Sequence, residues 1–171
     1  MSIIFYYIAV RVNCKKDKSR RTKSDRNKKT IIIDAPADIV FKAITDPAEL
    51  TNWFPDHAVL EPRVGGKISL SFYKEKSTEL ERNHLQEGTI KEFIPGKKVS
   101  YTWQFKDTPE LTETIVTWEV EETDDKKTRV VLNHSGFTGK EIGKLSSAEF
   151  DNGWTYFLDR LEKYCKTNKE N

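Results

Sequence analysis

The sequence predicts an α+β domain: a curved antiparallel sheet with two short helices near its start and one long helix at its end. Three observations carry this. Apolar residues recur at every second position through VSYTWQF (99–105), TIVTWEV (114–120) and TRVVLNHS (128–135). Short turn signals such as Pro95-Gly96 and Asp124-Asp125 separate consecutive strand patterns, which favours antiparallel neighbours. Near the C-terminus, Phe150, Trp154, Phe157, Leu161 and Tyr164 or Cys165 form one apolar stripe at helical spacing.

Taken in order, TIIID (30–34) is a short β-branched strand that Ala35-Pro36 ends. Pro36 suits a first helical turn, and Ile39, Val40, Ala43 and Ile44 follow at helical spacing. Asp46-Pro47 starts a second short helix through AELTNWF. Residues 57–61 read as a strand, Gly65-Gly66 as a turn, and KISLSFY alternates Ile68, Leu70 and Phe72 on one face. The polar run KEKSTELERN (74–83) reads as an exposed loop, and residues 84–94 as the next strand. GFTGKEIGK (136–144) reads as a mobile connection and a candidate lid, with Ser146 or Ser147 capping the final helix. One helix does not cover the whole face of a strongly curved sheet, so a cavity between the two is expected.

The chain has 171 residues, of which 36% are hydrophobic and 33% charged. That is enough apolar material for one core, and Gly, Pro and Cys are too few for a fibrous or disulfide-built fold. Of the net charge of +2, residues 1–29 hold +8, so residues 30–171 carry −6. Residues 30–167 are therefore taken as one acidic domain, which argues against nucleic acid as its partner. Residues 1–29 are taken as a basic, disordered N-terminal extension. Their run SIIFYYIAV is too short to span a bilayer, and the positive charge follows it rather than precedes it, unlike a secretory signal. A membrane-surface anchor, a basic targeting signal and an extra edge strand stay open beside disorder. Cys14 and Cys165 lie at opposite ends and fit no metal-ligand spacing, which points to free thiols in a reducing, cytoplasmic setting.

The strings APADIVFKAITDPAELTNWF, VGGKISL, EGTIKEFIPGKKVSYTW, TIVTWEVEE, KTRVVLNHSGF and GWTYFLDRLEKY cover nearly all of residues 30–165. In this order they resemble the helix-grip superfamily, also called SRPBCC or START-like. Within it they look like the branch homologous to the C-terminal domain of the activator of the 90-kDa heat-shock chaperone ATPase. The resemblance implies the birch-pollen-allergen-like fold. It leaves function open, because the superfamily includes lipid carriers, hormone receptors, polyketide cyclases, plant allergens and co-chaperone domains.

The candidate cavity wall is aromatic. On the helix-grip reading Tyr101, Trp103, Trp118, Leu132 and His134 share one face of three strands, Trp154 faces them from the long helix, and Trp53 and Phe54 close one end. Ordinary core packing is an equal reading for any one of them. His134 reads either as a proton donor or acceptor, or as a structural histidine at a strand end. No spacing links it to His57 or His84, and no phosphate-binding loop, nucleophile elbow or paired-histidine zinc motif occurs. No cofactor and no metal is expected. Glu75, Glu79, Glu81 and Glu87 read as a solvated surface rather than as paired catalytic carboxylates. Three functions follow: binding of an apolar or amphipathic small molecule in the cavity, a co-chaperone-like interaction domain with a chaperone partner, and a cyclase-type enzyme using His134. The first is preferred, with membrane contact confined to residues 1–29.

Overall fold

The computed structural model describes residues 28–73, 83–106, 113–137 and 147–168. The SIIFYYIAV run, Cys14, Glu75, Glu79, Glu81, Ser146 and most of GFTGKEIGK lie outside the described residues. Seven strands run in chain order: β1 (Lys28–Ile33), β2 (His57–Leu60), β3 (Lys67–Phe72), β4 (His84–Ile94), β5 (Lys98–Phe105), β6 (Thr114–Glu122) and β7 (Thr128–Ser135). Two short helices, α1 (Ala37–Thr45) and α2 (Pro47–Leu50), join β1 to β2, and α3 (Ser147–Asn168) ends the chain. All pairings are antiparallel, in the order β1-β7-β6-β5-β4-β3-β2. This is the expected α+β helix-grip architecture.

Local chemistry sets these elements. Asp46 caps α2 by accepting from the backbone N–H groups of Ala48 at 2.8 Å and Glu49 at 3.4 Å. Gly96 turns β4 into β5 with φ +73°, a conformation that costs a residue with a Cβ but not glycine. Along β7 the burial alternates strictly, with Thr128, Val130, Leu132 and His134 inward. On α3 the inward stripe is Phe150, Trp154, Phe157, Leu158, Leu161 and Cys165, all buried. No Asp, Glu, Lys or Arg is buried among the described residues.

The first strand starts two residues earlier than TIIID suggests, since Lys28 and Lys29 pair with Asn133 and Leu132. The position of β1 at a sheet edge explains it. Lys29 lies on the half-buried side with Ile31 and Ile33, and its ammonium reaches Asp151 of α3 at 2.8 Å. No helix among the described residues is long and apolar enough to cross a membrane.

Candidate functional site

The fold brings the predicted cavity residues together. Trp53, Tyr101, Trp103, Trp118, Leu132, His134 and Trp154 are each at most 3% exposed. Trp154 meets Trp103 and Trp118 edge-on at ring-centroid distances of 5.6 and 5.8 Å, and Trp118 meets Trp53 at 6.1 Å. Phe54, from the turn after α2, reaches the same cluster and touches Phe157 at 4.5 Å and Trp154 at 5.6 Å. Such edge-to-face pairs add to the area buried. Leu132 stands opposite Trp118 on the neighbouring strand.

His134 has both ring nitrogens engaged. The Trp154 indole N–H donates to Nδ1 at 3.0 Å, so Nδ1 is the unprotonated nitrogen. The ring proton is therefore on Nε2, which donates to Thr114 Oγ1 at 2.7 Å. Thr114 in turn donates to the Trp103 carbonyl at 3.3 Å. Burial pushes the His134 pKa down to about 3, which keeps the imidazole neutral. Protonating Nδ1 would set two N–H groups against each other. This arrangement orients the ring and leaves neither nitrogen free to exchange a proton with a substrate. Tyr101 accepts from the Trp118 indole at 3.0 Å, and burial raises its phenol well above the usual value.

The β4–β5 ladder is irregular beside this cluster. Paired residues run Gln86 to Phe105 and Glu87 to Gln104, then resume at Ile90 to Tyr101. At Gly88 the strands come so close that a Cβ would sit 1.8 Å from the Thr102 carbonyl oxygen. Side chains fill the lapse. Gln86 Nε2 donates to the carbonyls of Glu87 at 2.9 Å and Thr102 at 3.3 Å, while Thr102 Oγ1 accepts from the Thr89 N–H at 3.0 Å. In this cluster, among the described residues, Gln86 Oε1 and Trp103 Nε1 have no hydrogen-bond partner.

Outside this cluster, Tyr164 of α3 donates to the Glu49 carboxylate, which also pairs with Lys42 at 3.0 Å. These two contacts, the tyrosine first, hold the Glu49 pKa below its ordinary value. A groove of about 480 Å³ beside them is lined by Asn52, Trp53, Arg160, Lys163, Tyr164, Thr167 and Asn168. A second, of about 520 Å³, runs between β1 and α3. Cys165 is buried, and its thiol is pushed up to about 12, mainly by burial, so it is unreactive. Glu87 faces outward and pairs with Lys67 at 2.9 Å and Lys106 at 3.0 Å.

Residues 34–166 match the family model described as activator of Hsp90 ATPase homolog 1-like protein. This chain belongs to that family. With it comes the SRPBCC superfamily, and the helix-grip sheet agrees with it. No curated protein matches the chain. Among solved structures, it is similar to DynU16, a protein of the dynemicin biosynthetic locus, at 22% identity and TM-score 0.67, covering 83% of this chain and 47% of that one. The chain thus spans about half the length of DynU16. It is also similar to an HSP90 activator from Plasmodium falciparum, at 24% identity and TM-score 0.60, covering 80% and 92%. The Aha1 dimer from Colwellia psychrerythraea gives 20% identity and TM-score 0.65, covering 83% and 96%. At these identities the likeness is one of fold.

Within the family fold, the residues that sequence reasoning passes over are Gln86 and Thr114. Both carry a readable signal. Thr114 lies two residues before Val116 in the TIVTWEV alternation, and Gln86 lies two after His84 on its strand. Alternation places both inward. Their roles depend on partners in other strands.

Proposed function

We propose that this chain binds a small apolar or amphipathic molecule between the concave face of the sheet and α3. What supports this reading is the pair of unpartnered interior atoms, Gln86 Oε1 and Trp103 Nε1, in a core whose other tryptophan N–H groups all find acceptors. An unsatisfied buried donor or acceptor costs about 1–3 kcal/mol, so leaving two of them in a purely structural core is unfavourable. The uncharged aromatic wall suits a ligand held mainly by exclusion of water. Tyr101, Trp103, Trp118, Leu132, His134 and Trp154 line the site in this reading, and Trp53 closes one end. His134 acts by fixing Trp154, not by proton transfer. Nile red, an uncharged apolar dye, is expected to bind the native chain saturably, quench its tryptophan emission and lose affinity in Leu132→Trp. Dye binding confined to partly denaturing conditions would overturn the reading.

A chaperone-docking role is the second reading. It is supported by the family match and by the groove beside α3, where Arg160 and Lys163 offer positive charge. Stimulation of a purified 90-kDa heat-shock chaperone's ATPase, lost on Arg160→Glu with Lys163→Glu, is its test.

A further inference from the structure

Three interior tryptophans have an acceptor inside the fold. Trp53 donates to the Ala43 carbonyl at 2.9 Å, Trp118 to Tyr101 at 3.0 Å and Trp154 to His134 at 3.0 Å. Trp103 Nε1 is equally buried and has none, and one strand away Gln86 Oε1 has no donor. The orientation of that amide is fixed. Gln86 Nε2 serves two carbonyls, and turning the amide over would set its oxygen against both. Oε1 therefore stays an acceptor.

The two atoms belong to adjoining points of the sheet. Gln86 stands opposite Phe105, which makes Trp103, two residues along the same face of β5, its diagonal neighbour. The Gln86 amide also bonds the carbonyl of Thr102, the peptide that leads into Trp103. An indole N–H only donates and an amide oxygen only accepts, so a group that serves both must accept and donate. Among the described residues no Asp, Glu, Lys or Arg is buried to neutralise an ion, and an unpaired charge in such a setting is costly.

We propose that Gln86 Oε1 and Trp103 Nε1 form the polar anchor of the interior site and take the uncharged donor–acceptor end of an amphipathic molecule, such as a primary amide or an alcohol, in preference to a carboxylate. This rests on the reading of the interior as a binding site. A ligand amide oxygen accepts from Trp103, its N–H donates to Gln86, and its apolar chain lies against the rings of Phe54, Trp118 and Trp154.

The test uses the full chain labelled with nitrogen-15, its four indole N–H signals assigned through bonds to their own backbones. It is titrated with octanamide, 1-octanol, methyl octyl ether and octanoate at pH 8. Octanamide and octanol are expected to bind saturably and to move the Trp103 indole signal downfield more than the other three. The ether, which cannot donate, and octanoate, which is charged, are expected to bind at least tenfold more weakly. Gln86→Met should remove the preference for octanamide over the ether; the series on the unaltered chain decides the matter should that variant not fold. If ether and amide bind alike and the Trp103 signal stays still, the anchor is overturned while an interior site stands, with a retained water serving the pair. If none of the four binds saturably, the anchor and the binding reading both fall.

Discussion

Trp154 and Trp103 face each other across the interior with ring centroids 5.6 Å apart, and their polar ends are treated in opposite ways. The Trp154 N–H begins a chain of bonds through His134 and Thr114 that ends on the backbone of Trp103. The side-chain N–H of Trp103 is left with no acceptor. One side of the core is therefore closed in the hydrogen-bonding sense and the other is open. Aromatic burial alone does not say whether a wall of the core is satisfied throughout or only in part. The state of each polar atom does.

The largest test of this contrast is Trp154→Ala. Removing a large buried aromatic costs about 3–5 kcal/mol, and the orphaned Nδ1 of His134 adds to it. Against a typical total of about 5–15 kcal/mol the urea midpoint should fall sharply or the fold be lost. A retained midpoint would mean that the closed side does not depend on Trp154.

Next in size is a pH effect. The folded His134 pKa is about 3 against an ordinary 6.5, so between these values the unfolded chain binds the extra proton. Stability must then fall as pH falls, by up to about 1.4 kcal/mol per pH unit. Urea melts from pH 7 to pH 5 should show this slope, and His134→Gln should flatten it.

Smaller, and aimed at the contrast itself, is a pair of Phe substitutions. Trp154→Phe deprives His134 of its donor, whereas Trp103→Phe removes an N–H that bonds nothing. The first should cost more than the second by about 1–3 kcal/mol in denaturant melts. Equal losses would mean that Trp103 has a structural acceptor after all.

The alternation of VSYTWQF, TIVTWEV and TRVVLNHS made the inward aromatic set legible from sequence, because a strand's period of two needs no knowledge of its partners. The stripe on α3 was legible for the same reason, at a different period. The open side was not. Gln86 matters because the ladder lapses at Gly88, and that lapse is a relation between residues on two strands whose register the sequence does not reveal. The role of His134 was undecided in the same way, since it turned on Trp154 and Thr114, each 20 residues away. The lysines that open β1 were missed because their charge masks an edge position that tolerates them.

The smallest expected effect concerns the start of the domain. A chain beginning at Asn27 keeps all of β1 and should melt within a few degrees of the full chain by circular dichroism. A larger drop would mean that residues 1–26 pack on the domain and would redraw its boundary.

The place of β1 also has a consequence for how the protein is made. The Thr128 hydroxyl donates to the carbonyl of Ala35, just past the end of β1, at 2.6 Å and across 93 residues of chain. β3 through β7 are each laid against the strand made just before, but β1 has no neighbour until β7 exists. At a synthesis rate of about 5–20 residues per second, the first strand and the two helices behind it leave the ribosome roughly 5–20 s ahead of their partner. Closing such a long loop comes late on any folding route, because its entropy is lost before the contact is gained. Until then Ile31 and Ile33 have no sheet to cover them. The lysines at the start of the strand then help to keep a nascent, unpaired edge from finding the wrong neighbour.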